Sequence, residues 1–168
     1  MKNKSLGKLF SVFLIIILID QSTKLFVDFN IPKMSWINVV YPYGGIAVFK
    51  DFLGIQFSIV HETNLGGAWG LLSDHPTVLL SIRIVLISIL GCYLIFAKAS
   101  QAHKWPLTLI LAGAIGNIID IFIYSHVVDM FYFKFGSYSY PVFNVADSFI
   151  FIGILWIIFQ GLFSSKTA

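Results

Sequence analysis

Apolar and polar positions divide the chain into four long apolar runs and two connections of different character. The runs at 9–27, 77–97, 105–124 and 143–163 each approach the roughly 20 residues that a helix needs to cross a bilayer core. The fourth, opening "FNVADSF", is uninterrupted by charge after Asp147, whereas Asp20 and Lys24 break the second half of the first. Between the first two runs, "MSWINVV", "GIAVF" and "GIQFSIV" are short β-prone stretches split by "YPYGG" and "KDFLG". That pattern predicts a small antiparallel sheet. "NLGGAWGLL" reads as a glycine-rich turn into a short helix. The connection at 125–142 is dense in Tyr and Phe, residues that gather at membrane–water interfaces, and is expected to lie along the membrane surface. The expected fold class is an integral membrane α-helical protein. It has four transmembrane helices and a small β-sheet and short-helix subdomain at 28–76, with 1–168 forming a single membrane domain.

Composition agrees. The chain is 58% hydrophobic and 11% charged, with mean hydropathy +0.87; a soluble domain carries about a quarter charged residues. Lys2, Lys4 and Lys8 before "LFSVFLIIILI" resemble the start of a secretory signal. No small-residue cleavage site follows, so the segment is expected to stay as a signal-anchor. Lys98 and Lys104 flank the turn between the second and third runs, and Lys166 follows the fourth. Lys and Arg favour the cytoplasmic side, so both termini are expected inside, with 28–76 and 125–142 extracytoplasmic. The net charge of +3 forms no basic stripe, so nucleic acid is not an expected partner. The lone Cys92 supports no disulfide and reads as a small hydrophobe. Arg83, within the second run, pairs with an acid or reaches a headgroup. The four histidines are scattered, and neither H-E-x-x-H nor G-x-S-x-G occurs. No metal or cofactor is expected.

The eight acidic residues carry the chemistry. Asp28, Asp51, Glu62, Asp74 and Asp129 fall in the outward connections, and Asp20, Asp120 and Asp147 in the outer halves of spans. An ionisable group in a span costs about 2.5–3.5 kcal/mol on insertion scales and is a functional candidate. Asp20 and Lys24, four apart, share a helix face and are able to pair, which favours a structural role. In "AGAIGNIID" the small residues Ala112, Gly113, Ala114 and Gly116 allow close helix approach. Asn117 and Asp120 share a face beside them, as interhelical glue or as site support. Asp129 and Asp147 are brought together if the connection between them folds back. Two carboxyls in one site do not both ionise readily, which supplies a proton donor and an acceptor for water attack on an amide. Asn144, one turn before Asp147, is suited to orient a carboxylate or stabilise an oxyanion. The plainer role for Asp147 is helix capping. Two other classes compete: a proton-coupled transporter or channel with Asp20, Asp120 and Asp147 as a relay, and a non-catalytic scaffold. A relay requires acids through the bilayer depth, whereas these stop on one side.

"DQSTK" at 20–24, "NLGGAWG" at 64–70, "GNIID" at 116–120, "VVDM" at 127–130 and "FNVADS" at 143–148 resemble, in order and spacing, the bacterial lipoprotein signal peptidase (signal peptidase II) family. The resemblance implies an aspartic endopeptidase of the bacterial inner membrane, active at its outer face. Such an enzyme removes signal peptides from diacylglyceryl-modified prolipoproteins just before the lipidated cysteine. It implies Asp129 and Asp147 as the catalytic pair. Asn117, Asp120 and Asn144 match polar residues lining the site, Asp20 and Lys24 the first-span motif, and Asn64 and Gly66 the outer glycine-rich motif. Lipid-modified prolipoproteins, membrane lipids and the cyclic peptide antibiotic globomycin are the implied partners, with a monomer expected. Two positions depart from the family pattern: Ile121 replaces an arginine, and Met130 an aromatic.

Overall fold

A computed structural model describes residues 2–34, 40–67, 72–96 and 101–164. The element order is α1 (Lys2–Asn30), β1 (Ile46–Phe52), β2 (Ile55–Asn64), α2 (Pro76–Phe96), α3 (Gln101–Tyr124), β3 (Val127–Phe135), β4 (Tyr138–Ser139) and α4 (Val145–Ser164). All four helices are long and apolar enough to cross a membrane. α1 runs past the expected end at residue 27, so Asp28 lies in its last turn rather than in the connection. α4 starts at Val145 rather than 143, because Phe143 forms a β-bridge with Phe131. Most of "MSWINVV" and the expected short helix after "NLGG" lie outside the described residues.

The chain divides into two compact units. The first comprises residues 1–20, 81–118 and 145–168 and is helical. Here α1 meets α3 through Ile16, Leu109 and Ala112, with Val12, Phe13, Ile17 and Phe149 packed around them. α3 and α4 approach at small residues. A Cβ on Gly113 would overlap the Ala146 carbonyl, and one on Gly153 would fall 2.7 Å from the Pro106 carbonyl oxygen. Pro106 lies inside α3 and cannot donate to the carbonyl four residues back. That carbonyl, on Ala102, accepts from Gln160 Nε2 of α4 at 2.9 Å. A backbone acceptor is thus satisfied by a neighbouring helix, as a membrane interior requires. α2 has no buried residue, and Cys92 on it is exposed rather than part of a core.

The second unit, residues 21–80 and 119–144, holds an antiparallel sheet of order β1-β2-β3-β4. The aromatic connection at 125–142 therefore does more than lie along a surface, since it supplies two of the four strands. Its Phe and Tyr residues read equally well as strand residues. Phe57 and Phe133 are register partners, stacked with centroids 4.3 Å apart. Phe143 packs on Phe131 and Phe133. The β1–β2 turn is Leu53-Gly54, both at positive φ, the geometry that suits the twist of a two-residue hairpin. On the opposite face, Val128 and Met130 pack with Val27 of α1 and Ile31 just after it. Tyr43, Val60 and Tyr132 form a second core.

Candidate active site

Asp129 stands on β3 with 2% of its surface exposed. Its two oxygens each take one amide donor: Asn144 Nδ2 to Oδ1 at 2.7 Å and Asn64 Nδ2 to Oδ2 at 3.1 Å. The second Asn144 amide proton goes to the Val128 carbonyl at 3.3 Å. An amide donor on each oxygen fixes the plane of the carboxyl group. Asn64 is itself oriented, because the Gly66 backbone N–H donates to its Oδ1 at 2.9 Å, an Asx turn. The outer motif thereby acts on Asp129 through Asn64, with Gly66 supplying backbone. Met130, next along β3, is 1% exposed and packs in the core with Val27 and Ile31. Its departure from the family pattern is met on the core side of the sheet.

Asp120 and Lys24 are both fully buried, with Nζ and Oδ2 2.7 Å apart. Gln21 Nε2 donates to Asp120 Oδ1 at 2.9 Å, and the Val128 N–H to Oδ2 at 3.2 Å. A buried ion pair is tolerated when hydrogen bonds fill its remaining valences. Here the pair also ties α1, α3 and the start of β3 together one residue before Asp129. Lys24 is a cation on this aspartate in a chain with Ile121 beside it.

Asp147 lies in the first turn of α4, and its Oδ1 accepts from Asn117 Nδ2 of α3 at 2.8 Å. The Ala146 N–H in the same turn donates to Asp20 Oδ1 of α1 at 2.8 Å. Asp20, 0% exposed, thus accepts from a first-turn N–H of α4, while Asn144, just before the helix, donates from Nδ2 to β3. An acid in the first turn also suits the helix dipole. Gly116 leaves room for this arrangement, since a Cβ there would come 2.7 Å from Asp20 Oδ2.

Three polar residues here were not singled out by sequence reasoning. Gln21 lies inside "DQSTK", and its position in that motif was the available signal. His61, 2% exposed, donates from Nδ1 to the Ile31 carbonyl at 2.9 Å, with Nε2 3.7 Å from Asp28 Oδ1. Glu62 is the direct register partner of Asp129, and burial raises its pKa above the ordinary carboxylate range. Near the same end of α1, burial lowers the His126 pKa, and the charges of Lys33 and His61 push it the same way against Asp28. Among the described residues no group of three or more His, Cys, Asp and Glu side chains is placed to hold a metal ion.

Comparison with known proteins bears on this arrangement over nearly the whole chain. The family described as signal peptidase (SPase) II matches residues 12–163. A lipoprotein signal peptidase of Chlamydia felis (strain Fe/C-56) is 36% identical over 99% of this chain and 98% of its own length. One from Bacillus pumilus (strain SAFR-032) is 36% identical over 90% of each. A solved bacterial membrane enzyme, determined by the in meso method at 2.3 Å resolution, superposes with a TM-score of 0.80. It shares 27% identity and covers 96% of this chain and 92% of its own. With its motifs, its four apolar helices and its sheet accounted for, the chain belongs to the signal peptidase II family.

Proposed function

We propose that Asp129 and Asp147 are the catalytic pair of this peptidase, and that Asn117, Asn144 and Asn64 hold them for water attack. Membership of the family makes the chain a protease and a multi-pass membrane protein that cleaves signal peptides from prolipoproteins. It disfavours the proton-relay and scaffold readings. The observation that supports the pair is that each carboxylate is held by asparagine from another element: Asp129 by Asn144 and Asn64, Asp147 by Asn117. Carboxyls held in this way, Asp129 buried and Asp147 half-buried, have the rigidity that general acid–base catalysis needs.

One carboxylate takes a proton from water as its oxygen attacks the scissile carbonyl carbon. The other, entering as the acid, donates to the carbonyl oxygen. Collapse of the gem-diol intermediate breaks the C–N bond: the newly protonated carboxyl gives its proton to the departing amine, and the other, now a carboxylate, takes one from a gem-diol hydroxyl, restoring the starting pair. The substrate is a diacylglyceryl-modified prolipoprotein, cut just before its lipidated cysteine, and globomycin occupies the same site. Asp120, Lys24 and Asp20 fix the elements that carry the pair, with Gly66 acting through Asn64. The enzyme works as a single membrane domain, 1–168, and as a monomer in the bacterial inner membrane. Both termini are cytoplasmic and the pair acts at the outer face, as the Lys placement supports.

Asp129→Asn and Asp147→Asn, each assayed with a lipidated prolipoprotein after membrane insertion is verified, are expected to abolish cleavage. Near-parental turnover by either one would refute the pair. Cleavage should also decline at high pH, as the shared proton is lost; a rate still rising there would contradict the mechanism.

A further inference from the structure

We infer that Glu62 is a positioning residue for the reaction: the register of β2 on β3 sets its carboxyl across from Asp129, where its charge opposes loss of the last proton of the catalytic pair. This rests on the reading of Asp129 and Asp147 as that pair. The strands pair Asn64 with Val127, Thr63 with Val128 and Glu62 with Asp129. Directly opposed residues of an antiparallel pair share a face, with Cβ atoms about 4.5–5.5 Å apart. The Asn64 amide marks the face independently, since it reaches Asp129 from the diagonal position two residues beyond Glu62.

The register is held by a bulge. Between the pairs Ile59–Phe131 and Glu62–Asp129, two β2 residues, Val60 and His61, stand against Met130 alone. Both are buried. The His61 ring is fastened to the Ile31 carbonyl, and its own carbonyl accepts the Met34 N–H at 2.6 Å. A slip by one residue would turn Glu62 to the other face and carry His61 out of its seat. Like charges directly opposed in a sheet are destabilising, so this placement costs stability where an apolar residue would cost none.

The titratable groups packed nearby point elsewhere. His61 faces Asp28 at the end of α1, and Lys134 pairs with Gln56 at the far end of β2. Burial holds a proton on Glu62 above the usual carboxylate range. The side chain is therefore neutral in acid and becomes an anion at higher pH than an exposed glutamate does. An anion facing a carboxyl across a strand pair raises that carboxyl's pKa, since a like charge disfavours the second ionisation.

The test is the pH profile of kcat/KM for the full-length enzyme, with a diacylglyceryl-cysteine prolipoprotein peptide as probe. Glu62→Gln and Glu62→Ala are expected to move the alkaline limb down by about one pH unit, and Glu62→Asp to return it towards the parental position. A purely structural role would alter stability and leave the limb in place. If Asp129→Asn and Asp147→Asn are inactive while the limb of Glu62→Gln stays put, the inference is wrong and the catalytic reading stands. If either asparagine variant remains active, the pair fails and this inference fails with it.

Discussion

Asn144 Nδ2 donates to Asp129 Oδ1 at 2.7 Å, with both side chains buried. Asn144 directly precedes α4, where a residue of its type would ordinarily cap the helix. Its Nδ2 donates to the strand aspartate, and Asp20 of α1 accepts from the Ala146 N–H in the first turn of α4. A hydrogen bond to a charged group contributes about 1.5–3 kcal/mol. Asn144→Ala is therefore expected to lower kcat/KM roughly 10- to 100-fold, measured against a lipidated prolipoprotein. An unaltered value would show that the bond does not orient Asp129.

The Lys24–Asp120 pair predicts an asymmetric response. Lys24→Met leaves a buried carboxylate without its cation and should cost about 3–5 kcal/mol. Adding Asp120→Asn removes the uncompensated charge and should recover much of that loss. Thermal unfolding in detergent of the single and double variants gives the comparison. Equal midpoints would contradict a buried ionic contact.

Gln160 and Pro106 are coupled through the Ala102 carbonyl. Gln160→Leu should cost about 0.6–1.7 kcal/mol, the range for interhelical hydrogen bonds in membranes. In a Pro106→Ala background the backbone N–H at position 106 again donates to that carbonyl, and Gln160→Leu should then cost little. A double-mutant cycle on unfolding midpoints reads the coupling, and additive effects would refute it.

Glu62 carries a sign for stability. Its folded pKa is raised by burial, so the folded chain keeps a proton that the unfolded chain has released. Stability is therefore lost as pH rises from the usual carboxylate pKa through the raised one. Glu62→Gln should unfold at a higher temperature than the parent at neutral pH, and the difference should shrink at acid pH. A difference that does not vary with pH would contradict the assigned cause.

The helices were legible because apolar runs of spanning length have few alternatives. The strands at 46–52 and 55–64 were legible from β-prone runs punctuated by glycine. β3 was not, since in "VVDMFYFKF" both faces are apolar or aromatic and the period of two disappears. Its partner, β2, is also distant in sequence. The polar residues were found as candidates, but their partners were not. Asp20 accepts from a backbone N–H 126 residues away, and nothing in a sequence marks which amide a carboxylate will meet. Asp20 and Lys24, four apart, are readable as able to pair along one helix, but the ion pair of Lys24 with Asp120 crosses to α3 and has no such local signal.

The bond from the Ala146 N–H to Asp20 joins the start of the last helix in the chain to the first. The first turn of α4 holds Asp147, and a group on the first helix to be made completes that turn. A nascent chain with three helices inserted has the cap waiting and no helix to receive it. That contact therefore closes late in assembly, once the earliest and latest helices have met.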